Sequence, residues 1–472
     1  DPALVLRVAA TAARTGYPIA AGTLHRLADT APELREPWPR TALDELLSLL
    51  GTGRALVDVV ESLDRTGLWG RLFPEWGAVR DLPPRDRAHV WTVDRHLVEA
   101  CAQAGRLTTR VARPDLLLVG TLLHDIGKGR GGDHSVVGES LALQVGRRLG
   151  FAERDVVVLG AVVRHHLLLP HTATRRDLDD PATVTRVVDT LDGSPLVLDL
   201  LEALAEADSL ATGPGVWSPW KETLLRDLVQ RCRALMAGEP PPIPTPRSGL
   251  GTELVAAVIT DGGPQIQLSD GGQARPADAA RGRGPASVIV AVPNRPGALA
   301  AAAGVLALHS LEVHAAELHT TEKHGTERVA VFEFTVSPRF GNLPDPALLR
   351  ADLVRVLDGS MALDAALARK ERDYAPMTPA GDTIAPPRVL WFDDEATGAV
   401  VVELRAADRI GLLHRVAVAL EGCGVDLRWA RVATLGGSVV DSFCLDAAAR
   451  GGSLPPGERQ RIAKAVLAAA AT

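Results

Sequence analysis

His124 and Asp125 stand side by side at the end of an apolar run, residues 116–123, and Ile126-Gly127-Lys128 follows. Imidazole nitrogen and carboxylate oxygen are both ligands for a divalent ion. Adjacent residues on a helix point about 100° apart, so the pair can share one ion only along a common edge, and other helices must complete the shell. His96, on the preceding helix, and Asp208, in the apolar helix 198–211, are placed to do so. Buried together without a cation, two imidazoles and two carboxylates would cost roughly several kcal/mol. A mixed set of this kind suits Mn or Mg first, with Fe or Zn as further options, and not Ca. Such an ion lowers the pKa of its water and stabilises charge on phosphoryl oxygens, so hydrolysis of a phosphoester is the expected chemistry. Asp125 and Lys128 are the candidate catalytic residues. Lys128 is read as a phosphate ligand on the loop after the pair, the alternative being a solvent-facing lysine beside Gly127.

A second pair of strings offers binding rather than catalysis. PNRPGALAAAAGVLA, residues 293–307, and ADRIGLLHRVAVAL, residues 407–420, each join a strand to a helix through Asn294 or Asp408, then Arg295 and Gly297 or Arg409 and Gly411. Asn and Asp are good N-caps and Pro296 suits a first helical turn. The glycines let a ligand approach the backbone, and a helix N-terminus offers free N–H groups to a carboxylate. These six residues are the candidate effector site; a plain packing unit without ligand is the alternative.

Apolar spacing at three and four residues predicts helices over 3–15, 21–31, 41–50 and 54–72, a helical support for the metal region. The helical pattern continues from residue 89 to about 236, broken at 127–133 and near Pro170 and Pro195. AGEPPPIPT, residues 237–245, ends it, and the Gly, Pro and Arg content of 262–285 reads as a turn-rich connection. The order β-α-β-β-α then appears twice, which is an internal repeat. The expected division is a helical support, 1–80; a metal-dependent hydrolase domain, 81–240; a linker, 241–285; an α+β module, 286–368; a linker, 369–397; and a second module, 398–472.

With 472 residues the chain is too long for one core, and its hydrophobic fraction of 46% is that of a folded protein. No apolar run reaches the roughly 18 residues of a membrane span, and no cleavable leader is visible. The formal net charge of -7 lacks the basic field used for phosphate backbones, so neither nucleic acid nor membrane is an expected partner. Cys101, Cys232, Cys423 and Cys444 have no CxxC spacing, which fits a reducing cytoplasm.

His96, His124, Asp125 and Asp208 match the pattern of the HD superfamily of phosphohydrolases, which the string LLHDIGKG resembles. That resemblance implies that His134, in GDHSVVGES, and His166, in VVRHHLLL, supply a second ion, so one or two per chain; binding of substrate phosphate by the two is the alternative. His165 ranks behind His166, and His89 and His171 are read as surface or outer-shell residues. The repeats look like ACT domains, ferredoxin-like βαββαβ modules that pair to bind an amino acid. The fold class is therefore an all-α HD-type region followed by two α+β ACT domains.

WTVDRH (91–96), RRDLDDP within 164–181, WSPWKETLLRDL (217–228), LEVHAAELHT (311–320) and DLRWARVATLGGSVVDSFCL (426–445) together resemble the bacterial bifunctional uridylyltransferase/uridylyl-removing enzyme of nitrogen regulation. By that resemblance the substrate is PII signal protein nucleotidylated on a tyrosine, with UMP or AMP as the group removed. Glutamine is the effector, and a homo-oligomer could form through the ACT domains. That family begins with a nucleotidyltransferase domain carrying a GS motif and paired carboxylates. Gly193-Ser194 and Gly436-Gly437-Ser438 lack such a pair, so the chain is expected to keep removal, to lack transfer, and to be part of a longer protein. HD hydrolysis of a signalling nucleotide such as guanosine tetraphosphate, or a non-catalytic glutamine sensor, are the competing readings.

Overall fold

The structure, a computed structural model, describes residues 1–84, 89–176, 178, 180–213, 216–217, 219–239, 248–270, 286–320, 329–373, 386–394, 399–425, 427–435, 438–445 and 454–471. His324, Asp177, Asp179, Gly436, Gly437 and residues 240–245 of the Pro-rich stretch lie outside them. The chain divides into two compact units, Asp1–Pro242 and Ile243–Thr472.

The first unit is helical: α1 (Leu4–Thr15), α2 (Ala21–Thr30), α3 (Arg40–Leu50), α4 (Ala55–Arg65), α5 (Leu68–Leu72), α6 (Val93–Ala104), α7 (Pro114–Leu123), α8 (His134–Leu149), α9 (Glu153–Arg164), α10 (Leu168–Arg175), α11 (Pro181–Thr190), α12 (Pro195–Thr212) and α13 (Pro219–Met236). The single helix expected over 54–72 is two. Gly67 sits at φ +76 between α4 and α5, a left-handed conformation that a continuing helix cannot contain, and the turn lets Leu68, Trp69 and Leu72 reach the core.

At the centre lies α7, apolar on every side, with Leu116 to Leu123 all buried. A helix buried all round must be surrounded, and α7 touches α3, α6, α8, α9 and α12. One continuous apolar cluster runs from Ala3 to Cys232, so the supporting helices and those that carry the histidines share a core. Pro114 opens α7 at its first turn, where the missing N–H costs nothing. Asp133 caps α8 by accepting from Ser135 N, and Ser194 caps α12 by accepting from Val197 N. Each cap fixes the start of a helix that delivers a candidate ligand. The run Glu153–Arg175 is long and apolar enough to cross a membrane, with a mean hydropathy of 1.3. It is broken after Arg164 and sends Val156, Leu159, Val162, Val163 and Leu169 into the core, which accounts for its composition.

The second unit contains α14 (Ser248–Asp261), β1 (Gln265–Asp270), β2 (Ala286–Pro293), α15 (Ala298–Leu308), β3 (Leu311–Thr320), β4 (Val329–Pro338), α16 (Pro346–Leu357), α17 (Leu363–Asp373), β5 (Arg388–Asp394), β6 (Ala399–Ala407), α18 (Leu412–Gly422), β7 (Leu427–Leu435), β8 (Ser438–Leu445) and α19 (Pro456–Ala471). Its strands form one sheet in the order β1-β2-β4-β3-β7-β8-β6-β5, every described pairing antiparallel. The expected internal repeat is there as two sets of four strands with helices. The chain order within each is ββαββα, not βαββαβ: the outer strand precedes the module, as β1 and β5, where it was expected to follow. Both strands, and α14, fall in stretches read as linkers.

The faces follow from strand periodicity. Val288, Val290 and Val292 pack into the main core with α15, while Ile289 and Ala291 turn to the other face, against Leu254, Val255 and Val258 of α14. The halves meet through β3 and β7, where Ala315 pairs with Arg431, Ala316 with Ala430 and Glu317 with Trp429. Ala316 and Ala430 are related by the same 114-residue offset that separates Ala300 from His414 and Gly297 from Gly411. Equivalent positions therefore face each other across a pseudo-twofold axis.

Candidate metal centre

His96 comes from α6, His124 and Asp125 from the end of α7, His134 from the first position of α8, His166 from the turn after α9, and Asp208 from α12. His96, His124, Asp125 and His166 are buried, while the side chains of His134 and Asp208 are 31% and 20% exposed. All six expected ligands converge. His96 Nε2 lies 3.0 Å from Asp208 Oδ1 and 3.3 Å from His124 Nε2. His124 Nε2 is 3.6 Å from Asp125 Oδ2 and 3.7 Å from Asp208 Oδ1. On the other side of the same carboxylate, Asp125 Oδ1 lies 3.5 Å from His166 Nε2 and 3.6 Å from His134 Nε2.

Two triads result, His96/His124/Asp125 and Asp125/His134/His166, each with its ligand atoms within 4.8 Å of one another. Asp125 belongs to both. The rings are oriented from behind: His124 Nδ1 is 2.8 Å from Thr121 O, and His166 Nδ1 is 2.8 Å from Val163 O. A carbonyl accepts only, so each Nδ1 carries the proton and each Nε2 turns its lone pair inward.

Electrostatics favour the ligand forms of His124, Asp125 and Asp208, whereas at His166 burial is outweighed by the Asp125 carboxylate, which raises the imidazole. Burial, with His96 and His166 nearby, holds His124 down to about 4 against the pull of Asp125 and Asp208. Burial raises Asp125, but His124, His166 and Lys128 outweigh it and hold the carboxyl well below its usual range. Asp208 is lowered in the same way: burial is outweighed by the His96 bond and by the field of His124. Neutral imidazole and ionised carboxylate are what a metal requires. Among the described residues, Asp125 Oδ1 and His96 Nδ1 are buried with no hydrogen-bond partner. An orphaned carboxylate oxygen flanked by imidazole nitrogens is costly unless a cation completes it, so the residues fit a divalent ion.

The Lys128 ammonium bonds Asp125 Oδ2, so in this state it faces a carboxylate of the centre. His165 ends α9 outside the triads, and His171 is exposed. His89, read as peripheral, stacks edge-on against His96 with ring centroids 5.0 Å apart and its Nδ1 buried. Lys221, not singled out by the sequence, bonds Ser209 Oγ at 3.0 Å beside Asp208. In the second unit, His309 pairs with Asp352 and His314 with Ser337.

The candidate effector residues form the β2–α15 and β6–α18 turns. Gly297 and Gly411, at φ +82 and +76, are themselves the N-cap residues, so Asn294 and Asp408 stand three residues upstream of the positions expected for them. Arg409 Nη1 bonds Ala471 O at 3.3 Å, and Asp408 Oδ2 lies 4.0 Å from Arg339 Nη2. Burial pushes the Asp408 carboxyl up. Asn294 and Arg295 are exposed. Glu421 of the second repeat accepts from Gly297 N of the first.

The HD domain family matches residues 88–194, which include five of the six converging ligands; Asp208 lies beyond. The bifunctional uridylyltransferase/uridylyl-removing enzyme of Mycobacterium tuberculosis (strain ATCC 25618 / H37Rv) is 49% identical over 456 residues, 94% of this chain and 54% of that protein. The enzyme of the same description from Streptomyces coelicolor is 44% identical over 494 residues, 98% and 59% respectively. That from Rhodospirillum rubrum is 31% identical over 81% of this chain. The chain thus spans about half the length of the curated relatives it matches.

Proposed function

The chain is, over 94% of its length, a relative of the bifunctional uridylyltransferase/uridylyl-removing enzymes, and from that premise we propose that it is a metal-dependent hydrolase releasing a nucleotide monophosphate, UMP or AMP, from a modified tyrosine of PII signal protein. The observation that carries this reading is the pair of triads joined at Asp125, with its buried, unpartnered oxygen.

His96, His124, Asp125 and Asp208 would hold one ion, and Asp125, His134 and His166 a second. A divalent ion there supplies a more acidic water and a counter-charge for phosphoryl oxygens. The chain's residues do the rest. Thr121 and Val163 carbonyls keep two imidazoles aimed inward. Lys128 stands beside Asp125, and its ammonium would be the chain's own cation for a phosphate bound at the centre. The burial of His96, His124, Asp125 and His166 strengthens the charge interactions among them. The four cysteines, all buried and without CxxC spacing, fit a reducing compartment.

The regulatory half of the proposal assigns ACT domains to residues 286–368 and 398–472, with glutamine as effector, an HD domain to 81–240 and a helical support to 1–80. The two glycine turns are not equivalent. Glu421 already fills the Gly297 amide, and its counterpart by the 114-residue offset is Ala307, which has no carboxylate to offer Gly411. The Gly411 turn, with Asp408 and Arg409, is therefore the favoured place for an amino-acid carboxylate.

The test is release of nucleotide from nucleotidylated PII by the purified chain, with and without Mn2+. His124→Ala and Asp125→Ala should abolish release while the helical circular dichroism survives. Wild-type turnover by the metal-free double mutant would sink the assignment.

A further inference from the structure

On α13, Leu225, Leu228, Val229 and Cys232 are buried. Continued one turn toward the helix start, that stripe meets Lys221, at a position where helical periodicity calls for an apolar side chain. The lysine is accommodated by a polar partner: its Nζ donates to Ser209 Oγ at 3.0 Å, and Ser209 is itself 4% exposed on α12. The next residue back is Asp208. Burial pushes the Lys221 ammonium toward its neutral form, and the Asp208 carboxylate draws it back.

Two aspartates and two lysines thus stand at or beside the centre: Lys128 bonds Asp125, and Lys221 bonds the residue next to Asp208. Their four formal charges cancel before any ion binds. A lysine beside a metal-binding carboxylate repels the cation it helps to house, so it is a cost to metal affinity that packing alone does not require. Its benefit appears once an anion arrives, because a loaded centre that keeps its lysines carries a net positive charge.

We propose that Lys221 is a positioning residue of the metal centre, acting through Asp208: it offsets that carboxylate, lowering affinity for the cation and raising affinity for the substrate's phosphate. The proposal rests on the metal-dependent reading above. It is tested without substrate, by Mn2+ binding followed by electron paramagnetic resonance, and by inorganic phosphate binding to the Mn2+-loaded chain followed by 31P relaxation.

Lys221→Met should bind Mn2+ about tenfold more tightly and phosphate about tenfold more weakly, changes of the size a nearby unit charge exerts. Lys221→Arg, which keeps the charge, should stay within about threefold of wild type on both. A merely structural lysine would give losses of both affinities together in Lys221→Met, and that result, or no change in either, overturns the proposal. Should the Met variant fail to fold, Lys221→Gln, which can still donate to Ser209, carries the same expectation. A wild-type chain that takes up no Mn2+ overturns the metal reading and this proposal with it, whereas normal Mn2+ uptake with unchanged variants removes this proposal alone.

Discussion

Asp125 offers its two oxygens in opposite directions, Oδ2 toward His124 and Oδ1 toward His134 and His166. A carboxylate so placed would serve both cation sites of the proposed binuclear centre, and the variants should divide accordingly. Elemental analysis of the wild type is expected to give two ions per chain, His134→Ala and His166→Ala one, and Asp125→Ala none. A wild-type value of one would reject the binuclear form. The positions of His96, His124, Asp125 and Asp208 were legible because helical sequence on either side of an HD pair leaves few other uses for them. His89 was legible only as a surface or outer-shell residue, and its stacking on His96 was not: it precedes α6, which starts at Val93, so no helical phase links the two. Lys221 breaks an apolar stripe, but the break is visible only once the start of α13 at Pro219 is known. The orphaned oxygen of Asp125 could not be read from sequence at all, since it depends on what four other helices place around it.

Elements hold these residues in place, and one ion pair links the α8 end of the site to the supporting helices. Arg148, on α8, bonds both oxygens of Glu75 at 2.6 and 2.7 Å. Burial raises the Glu75 carboxyl, but the Arg148 hydrogen bonds outweigh it and leave it below its usual value. A folded-state pKa below the unfolded one stabilises the fold above the ordinary glutamate range, and the benefit is lost as pH falls through the folded value. Glu75→Gln should therefore cost about 3 kcal/mol near neutrality, and its melting-temperature deficit should shrink as pH falls below about 4 toward the lowered folded-state value of Glu75. A deficit that stays constant from pH 7 to pH 3 would show that the pair acts through packing. At this scale the sequence was readable where periodicity was strong. The two β-α-β-β-α runs are found as expected, whereas β1, QIQLSD, has only Ile266 and Leu268 to mark it amid Gly, Pro and Arg. Its strand character comes from pairing with β2, a long-range cause that no local window contains.

The whole chain divides at Pro242 into a helical unit and a sheet unit. A chain ending at Pro242 is expected to keep nucleotide removal and to lose any response to glutamine, read as rate against glutamine concentration beside the full chain. Equal rates for both at every concentration would reduce the sheet unit to an assembly element. Ending the chain at Pro285 instead would retain β1 without the β2 it pairs with, and would expose an unpaired strand edge. The pseudo-twofold axis between β3 and β7 has a further bearing. Two such halves on separate molecules would associate by mass action, and their pairing would rise and fall with expression. Joined in one chain, they meet at an effective concentration of about millimolar or more, fixed by the tether. Dilution cannot part them, so their pairing is independent of how many copies the cell makes.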